Sequence, residues 1–351
     1  MTTSVNCVSP MLSIIIPTRN RALLLHDALQ TLPAACHGLE SSVECLVIDN
    51  GSTDNTRAIV EAFAVTVLFP VHYIHEPCPG LHVGRNLGAT LARGEILAYL
   101  DDDVLVQSGW AAAILRRFQM SDAVALVGGP CRPAWEEPIP AWVEFFKQEI
   151  LSGWYYAGFS VIDLGEEPRR VPCDCVFGCN FSIRKSVLLE AGGFHPDGMP
   201  APLLRYRGDG EDAVAKYVAE QGFTIYYEPC AAIRHRVPQK RLSRKYILDV
   251  GRRSGISIGY TQYRTAQAHG FFSLLRRAFT HAVFLVRSWR QYNKMVAEVD
   301  DMSTSVFALC RMTAQRACAV HFLHVFVSPR LAHWVTQPTY FKNDPCPYWQ
   351  E

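Results

Sequence analysis

The sequence predicts an α/β protein: a mainly parallel, mixed sheet flanked by helices, with a C-terminal helical extension. Three observations predict it. Short, β-branched apolar runs alternate with segments of helical period from Leu12 to Val127. Gly, Pro, Asp and Asn punctuate the ends of those runs. Beyond about residue 238 strand signals cease and helices with basic faces take over. Repeated βα units bury both faces of a sheet, and only a largely parallel sheet accepts that order.

Taken in order, Leu12–Ile16 is a buried-strand run that Pro17 is expected to end. From Arg21 to Leu32 the apolar residues Leu24, Leu25, Ala28, Leu29 and Leu32 recur at helical spacing. Val43–Ile48 is a second strand, stopped by Asp49-Asn50-Gly51, after which Ser52 or Thr53 should cap a helix reaching Phe63. Val71–Ile74 is a third strand and Val83–Leu91 a helix. Ile96–Leu100 is a fourth strand that runs into Asp101-Asp102-Asp103. A helix over Ala111–Phe118 and a strand over Ala123–Val127 follow. From Pro130 to Pro172 the alternation lapses into prolines, acids, Trp135, Trp142, Trp154, Tyr155 and Tyr156. Packing within a long flap is the expected fate of these aromatics. It resumes with a strand pattern over Val176–Ile183, helices over Ser186–Ala191 and Asp212–Gln221, and a strand over Phe223–Tyr227. The predicted division is a catalytic domain over 1–238, with 130–172 as an acceptor-side insertion, and a basic helical extension over 239–351.

Composition narrows the class. Hydrophobic residues make up 49% and charged residues 19%, which permits a large core and excludes global disorder. The net charge of +1 hides an asymmetry: from residue 231 onward there are 18 Lys and Arg against 6 Asp and Glu. The front is correspondingly acidic, which suits cation chemistry there and an anionic partner behind. The 12 cysteines are scattered, and Cys173, Cys175 and Cys179 have no fourth ligand at metal-site spacing, so packed, reduced thiols are expected. No secretory leader is legible at the start, and Val306–Val327 is interrupted by Arg311 and Arg316. The expectation is a cytoplasmic protein, with peripheral attachment to the inner face of the membrane left open.

Ligands of such sheets bind beyond the carboxyl ends of the strands. Pro17–Asn20, Asp49 and Asp101–Asp103 all fall at such ends, so the fold should bring them together. Three adjacent aspartates repel unless a cation neutralises them, and Mg²⁺ or Mn²⁺ takes few carboxylates, filling its shell with phosphate oxygens and water. In an extended segment Asp101 and Asp103 share a side, with Asp102 facing elsewhere. Asp101 would then hold a ribose and Asp103 the metal; an acidic, solvated turn is the plainer alternative. Asp49 can bind a base N–H or a ribose hydroxyl; a turn residue beside Asn50-Gly51 is the plainer alternative. Gly208-Asp209-Gly210-Glu211-Asp212 precedes a helix, so its acids either cap or serve as a base toward an acceptor hydroxyl. His235, between Arg234 and Arg236, can ligate the metal or touch a leaving diphosphate, or simply sit in a basic surface loop. Arg85-Asn86 opens a helix where phosphate or base contacts are feasible, a plain surface pair being the alternative.

With those residues in place the chain resembles the family-2 inverting glycosyltransferases of the GT-A fold, from roughly Leu12 to Gly255. The matching segments are SIIIPTRNR at Ser13–Arg21, VIDNGSTDNT at Val47–Thr56, GLHVGRNLG at Gly80–Gly88 and LAYLDDDV at Leu97–Val104. GCNFSIRKSVLLEAGGF at Gly178–Phe194, GDGED at Gly208–Asp212 and IRHRVPQKRLS at Ile233–Ser243 complete the series. The resemblance implies that Pro17, Arg19 and Asp49 line a nucleotide pocket with Arg85 and Asn86 nearby. It implies that Asp101 and Asp103 are the D-x-D acids, Asp103 ligating Mg²⁺ or Mn²⁺ with His235 in reach. Asp212 would be the catalytic base, with Glu211 as the alternative. The implied partners are a nucleotide-diphospho-sugar donor and a glycan or lipid-linked acceptor. The cysteine-rich approach to Asn180 departs from the family pattern.

Two rival readings differ in what they need. A sugar-1-phosphate nucleotidyltransferase would want a glycine-rich loop after the first strand, where Pro17–Arg21 stands instead. A non-catalytic carbohydrate- or nucleic-acid-binding protein would draw on the basic tail, which lacks groove-reading or stacking motifs, so nucleic acid is not an expected partner. In that tail Arg276, Arg287, Arg290 and Lys294 share one helical stripe, with Phe271, Leu274, Leu275, Ala278, Ala282, Leu285 and Trp289 opposite. Such a helix either packs its apolar side on the protein or lies on an anionic bilayer.

Overall fold

A computed structural model describes residues 10–136, 138–298 and 305–341. In chain order the front of the chain forms β1 (Leu12–Thr18), α1 (Ala22–Ala35), β2 (Val43–Asp49), α2 (Thr56–Ala64), β3 (Val71–His75) and α3 (Leu81–Leu91). Next come β4 (Ile96–Leu100), β5 (Val104–Val106), α4 (Trp110–Gln119), β6 (Val124–Gly128) and β7 (Cys131–Trp135). The expected flap holds β8 (Lys147–Ile150), β9 (Gly153–Tyr156), β10 (Val161–Asp163) and β11 (Arg169–Arg170). Then follow β12 (Asn180–Arg184), α5 (Lys185–Glu190), α6 (Glu211–Glu220), β13 (Thr224–Tyr227) and β14 (Ile233–Val237). Four helices complete the chain: α7 (Arg244–Ala268), α8 (Phe271–Glu298), α9 (Ser305–Val327) and α10 (Pro329–Val335).

The chain divides into two compact units. The first, residues 1–133, 161–194 and 211–236, is built on an eight-stranded sheet of order β11-β13-β6-β12-β4-β1-β2-β3. β1 pairs in parallel with β2 and β4, β2 with β3, and β6 with β13. β12 enters antiparallel between β4 and β6. Every residue of β1, β2, β4 and β6 is buried, as strands covered on both faces must be. Each of Ile14, Ile15 and Ile16 hides its whole side chain, worth about 1.5–3 kcal/mol apiece against exposure.

Two local expectations are corrected. β1 does not stop at Pro17: Pro17 and Thr18 continue the pairing with Ile48 and Asp49. The pairing with β4 has already ended at Ile15, so the missing proline N–H costs no ladder bond on that side. Neither Ser52 nor Thr53 caps α2, which begins at Thr56, where Asp54 accepts from the Thr56 backbone N–H. Those two residues tie the β1 loop down instead. Ser52 Oγ accepts from Asn20 N at 2.8 Å, and Thr53 N donates to Asn20 Oδ1 at 2.7 Å.

The second unit, residues 134–160, 195–210 and 237–351, contains the β8–β9 hairpin and helices α7 to α10. Trp135 meets Tyr156 and Phe159 edge-to-face, and Trp142 packs on Phe146, so these flap aromatics are packed. α7 and α9 meet along small residues: a Cβ on Gly255 would lie 2.1 Å from the Ala314 carbonyl oxygen. Tyr206, Tyr260, Tyr263, Phe322, Trp334 and Tyr340 build an aromatic core. α9 is one unbroken helix through Arg311 and Arg316, and among the described residues no helix is long and apolar enough to cross a membrane.

α8 divides its apolar residues in a way the helical wheel did not show. Leu274, Ala278 and Leu285 turn inward, where His281 stacks on Phe322 and Arg316 donates to the Leu285 carbonyl and Ser288 hydroxyl. Phe271, Leu275, Ala282 and Trp289, expected on the same side, are exposed.

Candidate active site

All ten sequence-predicted site residues lie in the first unit, and the parallel pairing of β1, β2 and β4 sets their loops on one sheet edge. The loops are laced together by side chains. Asn50 Nδ2 donates to the Glu76 carbonyl at 3.3 Å and to the Cys78 carbonyl, and Asn50 Oδ1 accepts from Gly80 N at 2.9 Å. Asp49, buried at the end of β2, accepts from Tyr73 Oη at 2.6 Å and from Ser52 N at 2.8 Å. Pro17 is buried and Arg19 exposed on the β1 loop. The Asn86 amide is committed to Phe194, accepting from its N–H at 2.8 Å and donating to its carbonyl at 3.0 Å.

The acids after β4 form a turn rather than an extended segment, and Asp102 and Asp103 share Arg21 while differing in their other partners. Asp102 accepts from Thr18 Oγ1 at 2.8 Å and from Arg21 Nη1 at 2.5 Å. The same Arg21 nitrogen lies 3.3 Å from Asp103 Oδ2. Asp103 also faces His235 Nε2 at 3.4 Å, both residues being buried. Strand pairing explains that meeting: β14 runs antiparallel to β5, placing His235 opposite Val104. Burial pushes Asp102 up to about 6, with Arg21 opposing and Asp103 reinforcing the shift. Burial also raises Asp101, against the opposing charge of Arg85.

Arg85 is the hub of the remaining contacts. Its Nη1 donates to Glu211 Oε2 at 3.0 Å and its Nη2 to Asp101 Oδ1 at 3.3 Å, with the guanidinium 5.4 Å from the centre of the Phe194 ring. Glu211 Oε1 accepts from Gly178 N at 3.1 Å. A Cβ on Gly178 would fall 2.5 Å from Arg85 Nη2 and 2.6 Å from Glu211 Oε1, so this spacing requires glycine. Glu211 is therefore held on both oxygens, whereas Asp212, next along the first turn of α6, is exposed.

Among the described residues no three His, Cys, Asp or Glu side chains form a ready-made metal cage. Asp103 and His235, with Asp101 two residues away, suit a Mg²⁺ or Mn²⁺ ion that draws its other ligands from phosphate and water. Arg21, Thr18, Tyr73 and Gly178 were missed as site residues by the sequence reading. Arg21 and Gly178 left a signal, standing at the ends of matched segments, and Thr18 lies inside the Pro17–Asn20 stretch, whereas Tyr73 left none; these contacts join positions up to 84 apart.

The pattern of glycosyl transferase family 2 matches residues 13–190, and the chain belongs to that family. The succinoglycan biosynthesis protein ExoM of Rhizobium meliloti is 26% identical over 259 residues, covering 74% of this chain and 76% of that protein. The validoxylamine A glucosyltransferase of Streptomyces hygroscopicus subsp. jinggangensis is 36% identical over 204 residues, 54% of this chain and 48% of that enzyme. The matched segment thus spans about half the length of the latter relative. The solved mannosyltransferase PcManGT of Pyrobaculum calidifontis, in complex with GDP-Man and Mn²⁺, superposes with a TM-score of 0.55 at 16% identity. It covers 90% of this chain and 88% of its own, a likeness of fold: the GT-A arrangement of sheet and helices.

Proposed function

We propose that this family-2 glycosyltransferase is an inverting enzyme, moving a sugar from a nucleotide-diphospho-sugar to an acceptor hydroxyl with Asp212 as general base. The observation that carries the reading is the division of labour at the start of α6. Arg85 and the Gly178 N–H engage both oxygens of Glu211, while the Asp212 carboxylate lies exposed at the start of α6, where an acceptor can reach it from solvent. Asp212 would take the proton of the acceptor hydroxyl as the acceptor oxygen attacks the anomeric carbon from the face opposite the departing diphosphate. One displacement inverts that centre, and no covalent enzyme intermediate is needed.

Asp49 and the β1 loop, with Pro17 and Arg19, would hold the nucleoside, and Arg85 would keep Asp101 oriented beside it. Asp103 and His235 would hold Mg²⁺ or Mn²⁺, which supplies charge stabilisation for the departing diphosphate. PcManGT was solved with GDP-Man and Mn²⁺, which supports a nucleotide-sugar donor and a divalent ion for this chain as well. The name of ExoM supports a glycan product, and a lipid-linked acceptor on the cytoplasmic face belongs to the same proposal.

Turnover of nucleotide-sugars with and without EDTA tests the reading. Release of nucleoside diphosphate and a product of inverted anomeric configuration by NMR is the expected outcome. Pyrophosphate release would indicate a nucleotidyltransferase instead, and no turnover of any donor would indicate a binding protein.

A further inference from the structure

The geometry points to the outer face of α8 as a docking surface for an anionic lipid bilayer. The inward face of this helix is already used, as Ala278, His281 and Ser288 pack against α7 and α9. A second apolar stripe remains outside it. Phe272, Leu275, Phe279, Val286, Trp289 and Val296 are all exposed, Phe272 at 85%, Val286 at 78% and Phe279 at 70%. Their spacings of three, four and seven residues hold them to one side of the helix over more than six turns. Scattered exposed hydrophobics are ordinary, but a contiguous stripe of this length marks an interaction surface.

Charge identifies the occupant. Arg276, Arg287, Arg290 and Lys294 are exposed along one edge of the stripe, with Arg277 on the helix's far side. From Val250 to Ala297 there is no Asp or Glu, and none occurs from Met302 to Asn343. The helix α9, packed on α8, therefore brings no acid to the surface either. A second copy of the chain docking by this stripe would set its own arginines against these, with Glu298 at the last position of α8 the one carboxylate that the helix carries, so like-charge repulsion opposes it. A negatively charged lipid surface meets both halves of the pattern. The aromatic and aliphatic side chains enter the headgroup boundary while the cations stay at phosphate level. Trp289 and the phenylalanines are the ring types that favour this boundary.

The inference uses nothing of the active site, so its failure and the failure of the proposed chemistry are separable. The test is co-sedimentation of the full chain with phosphatidylcholine vesicles, alone or containing roughly one third phosphatidylglycerol, at low and high salt. The expected result is partition onto the phosphatidylglycerol vesicles, weakened by salt. Replacing Phe272, Phe279 and Val286 together by Ser should reduce partition at least about tenfold with the melting temperature unchanged, since these side chains are exposed. Replacing Arg276, Arg287 and Arg290 by Gln should remove the preference for anionic over neutral vesicles. Protein that stays in the supernatant with anionic vesicles at low salt would overturn the proposal. So would a triple Ser variant that partitions like the parent. So would a concentration-dependent dimer in sedimentation velocity that the Ser variant abolishes while the parent ignores vesicles.

Discussion

Arg85 Nη1 lies 3.0 Å from Glu211 Oε2, although 126 positions separate the two in the chain. On the proposed assignment this pair makes Glu211 the structural carboxylate of the Glu211-Asp212 couple. Glu211→Gln should lower stability by about 1–3 kcal/mol, because the buried Arg85 guanidinium loses a charged partner. Asp212→Asn should leave the melting temperature within a degree or so of the parent and reduce kcat by roughly 10²–10⁴-fold. Thermal denaturation and steady-state rates of both variants check the assignment. If the effects are exchanged, Glu211 is the base.

The Asp103–His235 approach of 3.4 Å predicts a shared role in cation binding. Asp103→Asn and His235→Ala should each weaken Mn²⁺ affinity by about tenfold or more, read by titration calorimetry in the presence of nucleoside diphosphate. Asp49→Asn should instead weaken the nucleotide and leave the Mn²⁺ affinity largely as it was. Equal Mn²⁺ affinity in parent and Asp103→Asn would remove the metal from this site.

Two glycine substitutions should separate function from stability. At Gly178 the new methyl meets the ends of two long side chains, which can swing aside at small cost in stability. Gly178→Ala should therefore cost no more than loss of the Arg85–Glu211 pair, about 1–3 kcal/mol, but displace Glu211 and Arg85, with a fall in kcat of about tenfold or more. At Gly255 the methyl meets the backbone carbonyl of Ala314 at 2.1 Å, and backbone cannot swing aside. Gly255→Ala should cost about 1–3 kcal/mol or more. Urea denaturation of the pair, beside their rates, gives the comparison.

Glu44 provides a pH-dependent prediction away from the site. It is buried on β2, and burial alone would raise its pKa. The Ser13 hydroxyl at 2.6 Å, the Arg93 N–H at 2.6 Å and Arg93 Nε at 2.8 Å outweigh that, so its value lies below the ordinary carboxylate range. A folded value below the unfolded one means stabilisation that is complete above pH about 4.5 and is lost as pH falls through the folded value. The gap in urea midpoint between the parent and Glu44→Gln should therefore hold from pH 7 to about 5 and narrow below that. A gap that widens on acidification would contradict the sign.

The sheet was legible where the chain is uniformly apolar. β1, β2 and β4 are short Ile-, Leu- and Val-rich runs that only a doubly covered strand explains. The acids following β4 were legible because three carboxylates after such a run need a reason. What local pattern could not show was pairing at a distance. β12 wedges antiparallel between β4 and β6, a choice made by strand partners rather than by its own residues. Arg21 reaching Asp102, and Arg85 reaching Glu211, are consequences of that topology. For α8 the wheel found the apolar residues but not which of them the neighbouring helices would cover, because two apolar arcs on one helix read as a single wide one.

The Arg21 guanidinium beside Asp102 and Asp103 gives the acidic turn a tethered counter-ion of its own. Folding of this corner need not wait for dissolved metal, since part of the repulsion is met as soon as β1 pairs with β4 and brings Arg21 to the turn. On the proposed chemistry, ions would come and go with each round of substrate while the main chain stays put, and stripping the protein with a chelator should silence it without unravelling it.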